Sequence, residues 1–265
     1  SDLCNTGDLA GRACEGEHGR RLRCAARCRY ASPHDRLCRY PLIDEWWTYG
    51  IADLVLFTPE TYFRLFELHH RDWWPMQLAS LVMAVVILLC LWRKPARGGR
   101  VIAILLAASW AWVGWAFLHL HFAPIHWVAN GYAVAFLLQA LLLFGFGVSR
   151  NGVEFETGNT LRAGFGVFIL LGALLALPVT AHLTGREWMQ AELFAMTPDA
   201  TALATLGLLL LAKGRTAVWL AVIPVAWCFV TGATLWVLEA PEALLLPAGA
   251  VLTITSMLLP IQRRG

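Results

Sequence analysis

The sequence predicts an all-α fold: a polytopic membrane helix bundle of about seven transmembrane helices, preceded by an N-terminal amphipathic surface helix. Three observations carry this. Of the 265 residues, 58% are hydrophobic and only 15% are charged, against about 25% charged in a soluble domain. The apolar residues are gathered into long blocks, most of which approach the ~20 residues a helix needs to cross ~30 Å of hydrocarbon. Tryptophan occurs 13 times, and its apolar ring with a single N–H suits the headgroup layer.

Residues 1–42 stand apart. They hold eight of the 21 Lys and Arg residues and five of the seven cysteines, Cys4, Cys14, Cys24, Cys28 and Cys38. They lack an apolar core segment, so they are not a secretory signal. The cysteine spacing is irregular and lacks the paired C-x2-C knuckles of a zinc module. The first methionine is Met76. The expectation is a disordered basic tail, or translated sequence ahead of the real start. Cys90 and Cys228 fall inside apolar helices and read as packing residues.

Residues 43–72 form the amphipathic segment. Thr58-Pro59-Glu60 is a helix start: Thr58 can cap, Pro59 suits the first helical position, and Glu60 favours the positive end of the dipole. The helix to about His70 places Tyr62, Phe63, Phe66 and His70 on one side. Paired tryptophans flank it at Trp46-Trp47 and Trp73-Trp74, as expected of a helix lying on a membrane surface.

The bundle follows over residues 73–262. Its expected spans are Trp73–Trp92, Val101–Leu118, Trp127–Val148, Ala163–Ala181, Pro198–Ala212, Thr216–Leu238 and Ala243–Ile261. The fifth is short and reads as tilted or partly re-entrant. It opens on Thr197-Pro198-Asp199, a second capped start. Ten basic residues fall in alternate loops: Arg93, Lys94, Arg97, Arg100, Arg150, Arg162, Lys213, Arg215, Arg263 and Arg264. The opposite loops hold only Arg186. The positive-inside rule then places the C-terminus in the cytoplasm and the residues before Trp73 outside. The net charge of +3 is too small to argue for nucleic acid. The lipid bilayer is the expected partner, with further membrane subunits or a second copy of the chain as others.

Chemistry-bearing residues are sparse. Six of the eight histidines fall at one side in this topology: His69, His70, His119, His121, His126 and His182. Of these, His119, His126 and His182 are the candidates for a metal or haem site. Histidine also sits comfortably at an interface, as tryptophan does, and no cofactor is required by the pattern. His119 and His121 point to opposite faces if the helix continues through them. The carboxylates near the same face are Glu187, Glu192, Asp199, Glu239 and Glu242; Asp199 is the most membrane-embedded of these and reads either as a coupling-ion or proton site or as a helix-capping residue. Asn130, Gln139 and Thr231 are the polar residues expected to face the bundle interior with it. The two lysines, Lys94 and Lys213, both lie in loops, which excludes a retinal Schiff base. There is no P-loop, no G-x-S-x-G and no H-E-x-x-H, so no enzymatic activity is expected.

One set of residues carries a resemblance: Trp46-Trp47-Thr48-Tyr49, then Leu56-Phe57-Thr58-Pro59-Glu60-Thr61-Tyr62-Phe63-Arg64-Leu65-Phe66-Glu67-Leu68, then Trp74-Pro75, then Trp110-Ala111-Trp112-Val113-Gly114-Trp115-Ala116-Phe117. It resembles a bacterial family of small polytopic membrane proteins of unknown function, sometimes labelled permeases, over residues 45–262. The resemblance implies a multi-pass protein of the bacterial inner membrane and is silent as to chemistry. The expected function is a small permease-like, solute-handling protein. The alternatives are a metal-, haem- or quinone-binding membrane component, or an accessory subunit of a membrane complex.

Overall fold

A computed structural model of the protein describes residues 57–148, 155 and 160–258. Among the described residues the fold is all-α, a bundle of eight helices with no strand. They are α1 (Pro59–Asp72), α2 (Met76–Arg93), α3 (Gly98–Phe122), α4 (Ala129–Val148), α5 (Leu161–Leu183), α6 (Pro198–Leu211), α7 (Thr216–Val237) and α8 (Leu245–Leu258). Residues 1–42, Trp46-Trp47 and the loop residue Arg150 lie outside the described residues, as do Arg263 and Arg264.

Five helices, α2, α3, α4, α5 and α7, are long and apolar enough to cross a bilayer, and they mark a membrane protein. The seven expected spans all appear as helices. However, α6 and α8 have only 14 residues each, roughly 21 Å at 1.5 Å per residue. The two have different surroundings. Every residue of α6 is buried, and the helix packs against α3, α5, α7 and α8. A helix that is apolar all round is a core helix, and α6 is the axis of this bundle. By contrast, α2 is peripheral, with Leu78, Leu81, Val82 and Val85 among its exposed residues.

The α1 start forms as expected, with the Thr61 N–H donating to Thr58 Oγ1 at 3.4 Å and Pro59 in the first turn. Its buried face is Tyr62, Leu65, Phe66, His69 and His70. This corrects the expected stripe: Phe63 is only partly covered, while Leu65 and His69 join it. The face is covered by protein, with the Phe66 ring 5.1 Å from Phe117 of α3.

Three local devices set the helix packing. First, α5 and α6 cross at Gly166 and Gly207. A Cβ on Gly207 would fall 2.6 Å from the Leu170 nitrogen and 2.8 Å from the Gly166 oxygen, so only glycine permits that approach. Second, Pro224 inside α7 has no N–H to give Leu220, four residues earlier. Gln139 of α4 replaces it, donating from Nε2 to the Leu220 oxygen at 2.9 Å. Third, α3 and α5 each contain a widened π segment, Val113–Phe122 and Gly172–Ala176. The second directly precedes the short run that contains Pro178.

Both ends of α6 are complemented. At its C-terminus Arg162 donates to the oxygens of Leu210 at 3.1 Å and of Leu209 and Ala212 at 3.4 Å. A cation there satisfies free carbonyls and suits the dipole. At its N-terminus Thr197 does not cap, contrary to expectation. Its hydroxyl instead donates back to the Leu193 oxygen at 3.1 Å, and Asp199 occupies the first turn.

Candidate functional site

The chain reaches α6 through an irregular segment, 191–197, that is buried almost throughout. Buried backbone outside regular structure must find partners for its polar groups. Here side chains provide them. Ser80 of α2 donates to the Phe194 oxygen. The Ala195 N–H donates to Thr201 Oγ1 at 3.0 Å, and Thr201 in turn donates to the Thr197 oxygen at 2.7 Å. Ala195 itself has φ 59, a left-handed conformation that is rare without glycine and found where surroundings enforce it. The threonine line continues along α6. Thr205 donates to the Thr201 oxygen at 2.7 Å and accepts from the Trp110 indole at 2.9 Å. Trp110 is therefore a core residue, whereas Trp115 of the same aromatic run is 46% exposed.

Three buried carboxylates meet at this end. Asp199 is fully buried, and its Oδ1 accepts from Trp227 Nε1 at 2.7 Å and from the Thr231 hydroxyl at 2.8 Å. Its Oδ2 has no hydrogen-bond partner. Trp227 and Thr231 are one turn apart on α7, hence on one face. Glu192 is buried, with Oε2 unpartnered. Burial pushes its carboxyl well above the ordinary range, and the adjacent Asp199 adds to this. Glu242 is buried and pairs with Arg186, leaving Oε2 unpartnered. The Arg186 guanidinium also lies 4.0 Å from the centroid of Phe63. Tyr62 completes the group: burial, with Asp199 and Glu192 nearby, pushes its phenol well above its usual value. The cluster thus sets three carboxyl groups against one guanidinium.

A second polar group lies along α1. His69 is fully buried with neither ring nitrogen partnered. Burial, with His121 and His70 nearby, pulls it down to about 3, so it is neutral. His70 is also buried, and its Nδ1 donates to the Met189 oxygen at 2.8 Å. These two are core residues and not interfacial ones.

The expected site residues separate into several places. Asp199 and Thr231 come together. Gln139 is buried but serves the Leu220 carbonyl in the α4–α7 contact. Asn130 is a correction: it is exposed in the first turn of α4, at the rim of the bundle, where it pairs with His119 at 2.8 Å instead of facing the interior. His119 is exposed with it, and exposed His182 stacks on Trp188 at 4.9 Å. His126 packs among Phe57, Phe122 and Tyr132 at 5.8, 5.1 and 6.0 Å. The structure does not bring these three histidines together, and among the described residues no three His, Cys, Asp or Glu are grouped so as to hold a metal ion.

Sequence reasoning placed Glu192 and Glu242 near the same face as Asp199 but missed Trp227, Tyr62 and the pairing of Arg186 with Glu242 as parts of the site. Trp227 alone left a signal, standing four residues before Thr231.

The chain matches none of the curated proteins and none of the solved structures. One family does match, over residues 59–264, from the first residue of α1 through α8 and so across the whole carboxylate cluster. The chain belongs to that family, described as a family of unknown function (DUF6064).

Proposed function

We propose that the protein is a small permease-like protein of the bacterial inner membrane that couples a solute to proton movement through Asp199 and Glu192. The observation that carries this is the buried excess of carboxyl groups at the α6 N-terminus: Asp199, Glu192 and Glu242 against Arg186 alone. Ionisable groups in a membrane bundle are costly, and they persist where they line a pathway or bind and release charge. Irregular backbone leading to a helix N-terminus in the middle of a bundle, as at 191–197, suits the same role. Thr231 and Trp227 hold Asp199 in place from α7. Glu192 supplies the exchangeable proton. The Arg186–Glu242 pair closes the cluster on its loop side. The positive-inside count supports a cytoplasmic C-terminus, which puts the cluster on the outer side.

The test uses the full chain in proteoliposomes with a trapped pH-sensitive dye and an imposed pH gradient. Amines, amino acids, sugars and carboxylates are added in turn. At least one class is expected to discharge the gradient, and Asp199→Asn is expected to abolish that discharge while keeping its helical circular dichroism. A folded wild type that no class discharges would overturn the reading and favour an accessory subunit without a site of its own.

A further inference from the structure

Where α1 meets the end of α3, one histidine has an acceptor against each of its ring nitrogens. His121 stands in the last turn of α3, inside the widened π segment. Its Nδ1 lies 2.7 Å from the Ala116 oxygen, five residues earlier in the same helix. Its Nε2 lies 3.1 Å from Oδ2 of Asp72, the last residue of α1. A carbonyl oxygen can only accept a hydrogen bond, and so can a carboxylate. Neutral imidazole has one N–H, so in either tautomer one ring nitrogen would turn its lone pair on an oxygen. The imidazolium has two N–H groups and satisfies both contacts at once. A proton carried by Asp72 would close the same bond, but imidazole is ordinarily the stronger base of the two.

Two further features agree with a positive charge at this point. Asp72 ends α1, where the helix dipole disfavours a carboxylate and a neighbouring cation offsets the cost. The fully buried His69 ring stands edge-on to His121 at 5.0 Å, and His121 is one cause of its low value of about 3. The two imidazoles thus divide the roles, one charged and one neutral. The His121 side chain is 13% exposed and that of Asp72 58%. The pair is therefore covered on its imidazole side and open to water at its carboxylate, where a proton can enter and leave.

We infer that His121 is a proton-binding site and that its bound proton clasps the last turn of α1 to the end of α3. The ligand is a proton, which needs no cavity. The inference is independent of the coupling reading, since it uses neither Asp199 nor Glu192. The ionisable groups against His121 are Asp72 and His69, both from α1. Elsewhere on α1, Arg64 pairs with Glu67, His70 engages Met189, and Arg71 is exposed. Of the other helices packed on the π segment, α4 carries Tyr132 as its one ionisable residue, and that ring faces His126 and Trp227. Likewise α6 carries Asp199 alone, held by Trp227 and Thr231. His119 turns away from the pair, to Asn130. The sign follows: the clasp is closed in acid and weakens as pH rises through the range of about 5 to 8 in which histidine ordinarily changes charge.

The test uses the full chain, labelled with 15N-histidine and purified in detergent. Ring-nitrogen chemical shifts distinguish the imidazolium from either neutral tautomer, and His121→Gln assigns the His121 signals. His121 is expected to carry both ring protons at pH 5.5 and to have lost one by pH 8. The clasp itself is read from backbone amide exchange over residues 69–73, corrected for the intrinsic effect of pH. In the wild type that exchange should be about threefold faster at pH 8 than at pH 5.5, the scale of a partly exposed ion pair. The difference should vanish in His121→Gln. It should also vanish in Asp72→Asn, an exposed position where folding is not at stake. A singly protonated His121 at pH 5.5, or wild-type exchange that ignores pH, overturns the inference. A pH dependence that survives in Asp72→Asn assigns the effect to another group and overturns it as well.

Discussion

His69 and Glu192 are buried titratable groups that their environments shift in opposite senses. His69 sits against Phe117 and His121 at 5.3 and 5.0 Å with neither nitrogen partnered. Its folded-state value of about 3 lies below the ordinary 6.5. The unfolded chain therefore takes up a proton that the folded chain refuses, and the stability this group permits is present above about pH 6.5 and lost as pH falls towards 3. The slope is at most about 1.4 kcal/mol per pH unit. Replacing His69 by Leu, which suits the apolar side of the pocket, should flatten the acid limb of thermal stability measured between pH 4 and 7 in detergent. An unchanged limb would mean that the imidazole reaches solvent. Glu192 has the reverse sign. Its folded value is raised, so the folded chain keeps a proton that the unfolded chain has lost. The stability tied to that proton is greatest in acid and declines as pH rises above about 4.5. Glu192→Gln keeps the shape and removes the titration, so it should raise the melting temperature at pH 8 relative to wild type and leave it unchanged near pH 4. A lower melting temperature at both would show that the carboxylate form is the one the fold requires. At this scale the sequence was only partly legible. Asp199 and Thr231 announce themselves as polar residues inside apolar runs. Glu192 and Tyr62 are visible as a nearby carboxylate and as part of the helix stripe, but their burial beside Asp199 is not, because it depends on how 191–197 and α1 fold onto the bundle.

Helices were legible to within a few residues, because the period and length of an apolar run are local properties. The contacts between helices were not. Gly166 falls in the expected fourth span, but its partner Gly207 sits in the short fifth run, which was expected to be tilted or partly re-entrant and is instead the axis. A Cβ at Gly207 would meet main-chain atoms of Leu170 at 2.6 and 2.9 Å, and backbone cannot swing aside as a side chain can. Gly207→Ala should therefore destabilise the bundle by about 1–3 kcal/mol, the cost of overpacking. Gly164→Ala is the matched control, since a Cβ there would meet nothing within 4 Å. Comparable melting temperatures for the two variants would show that α5 and α6 separate easily. The Gln139–Leu220 bond teaches the same lesson. Pro224 frees a carbonyl that any reading of the sequence can identify, but the side chain that satisfies it comes from a helix 81 residues away in the chain. Its register is fixed only by packing.

For the whole molecule, the burial of α6 and the distribution of charge bear on each other. The proposed orientation rests on the basic residues of alternate loops, and one of them, Arg162, is held by the carbonyls of Leu209, Leu210 and Ala212. That arginine is structural and would be needed at the α6 C-terminus in either orientation. Removing it from the count leaves nine basic residues opposing Arg186, so the asymmetry survives, and Arg186 itself is held by Glu242. With Arg162 and Arg186 set aside, the basic residues of the loops still fall on one side in the sequence. In a variant whose native cysteines are replaced, Arg215→Cys in the α6–α7 loop should react with a membrane-impermeant maleimide only after the membrane of intact cells is opened. Glu187→Cys, in the exposed stretch between α5 and α6, should react from outside without opening. The reverse pattern would put the carboxylate cluster on the cytoplasmic side.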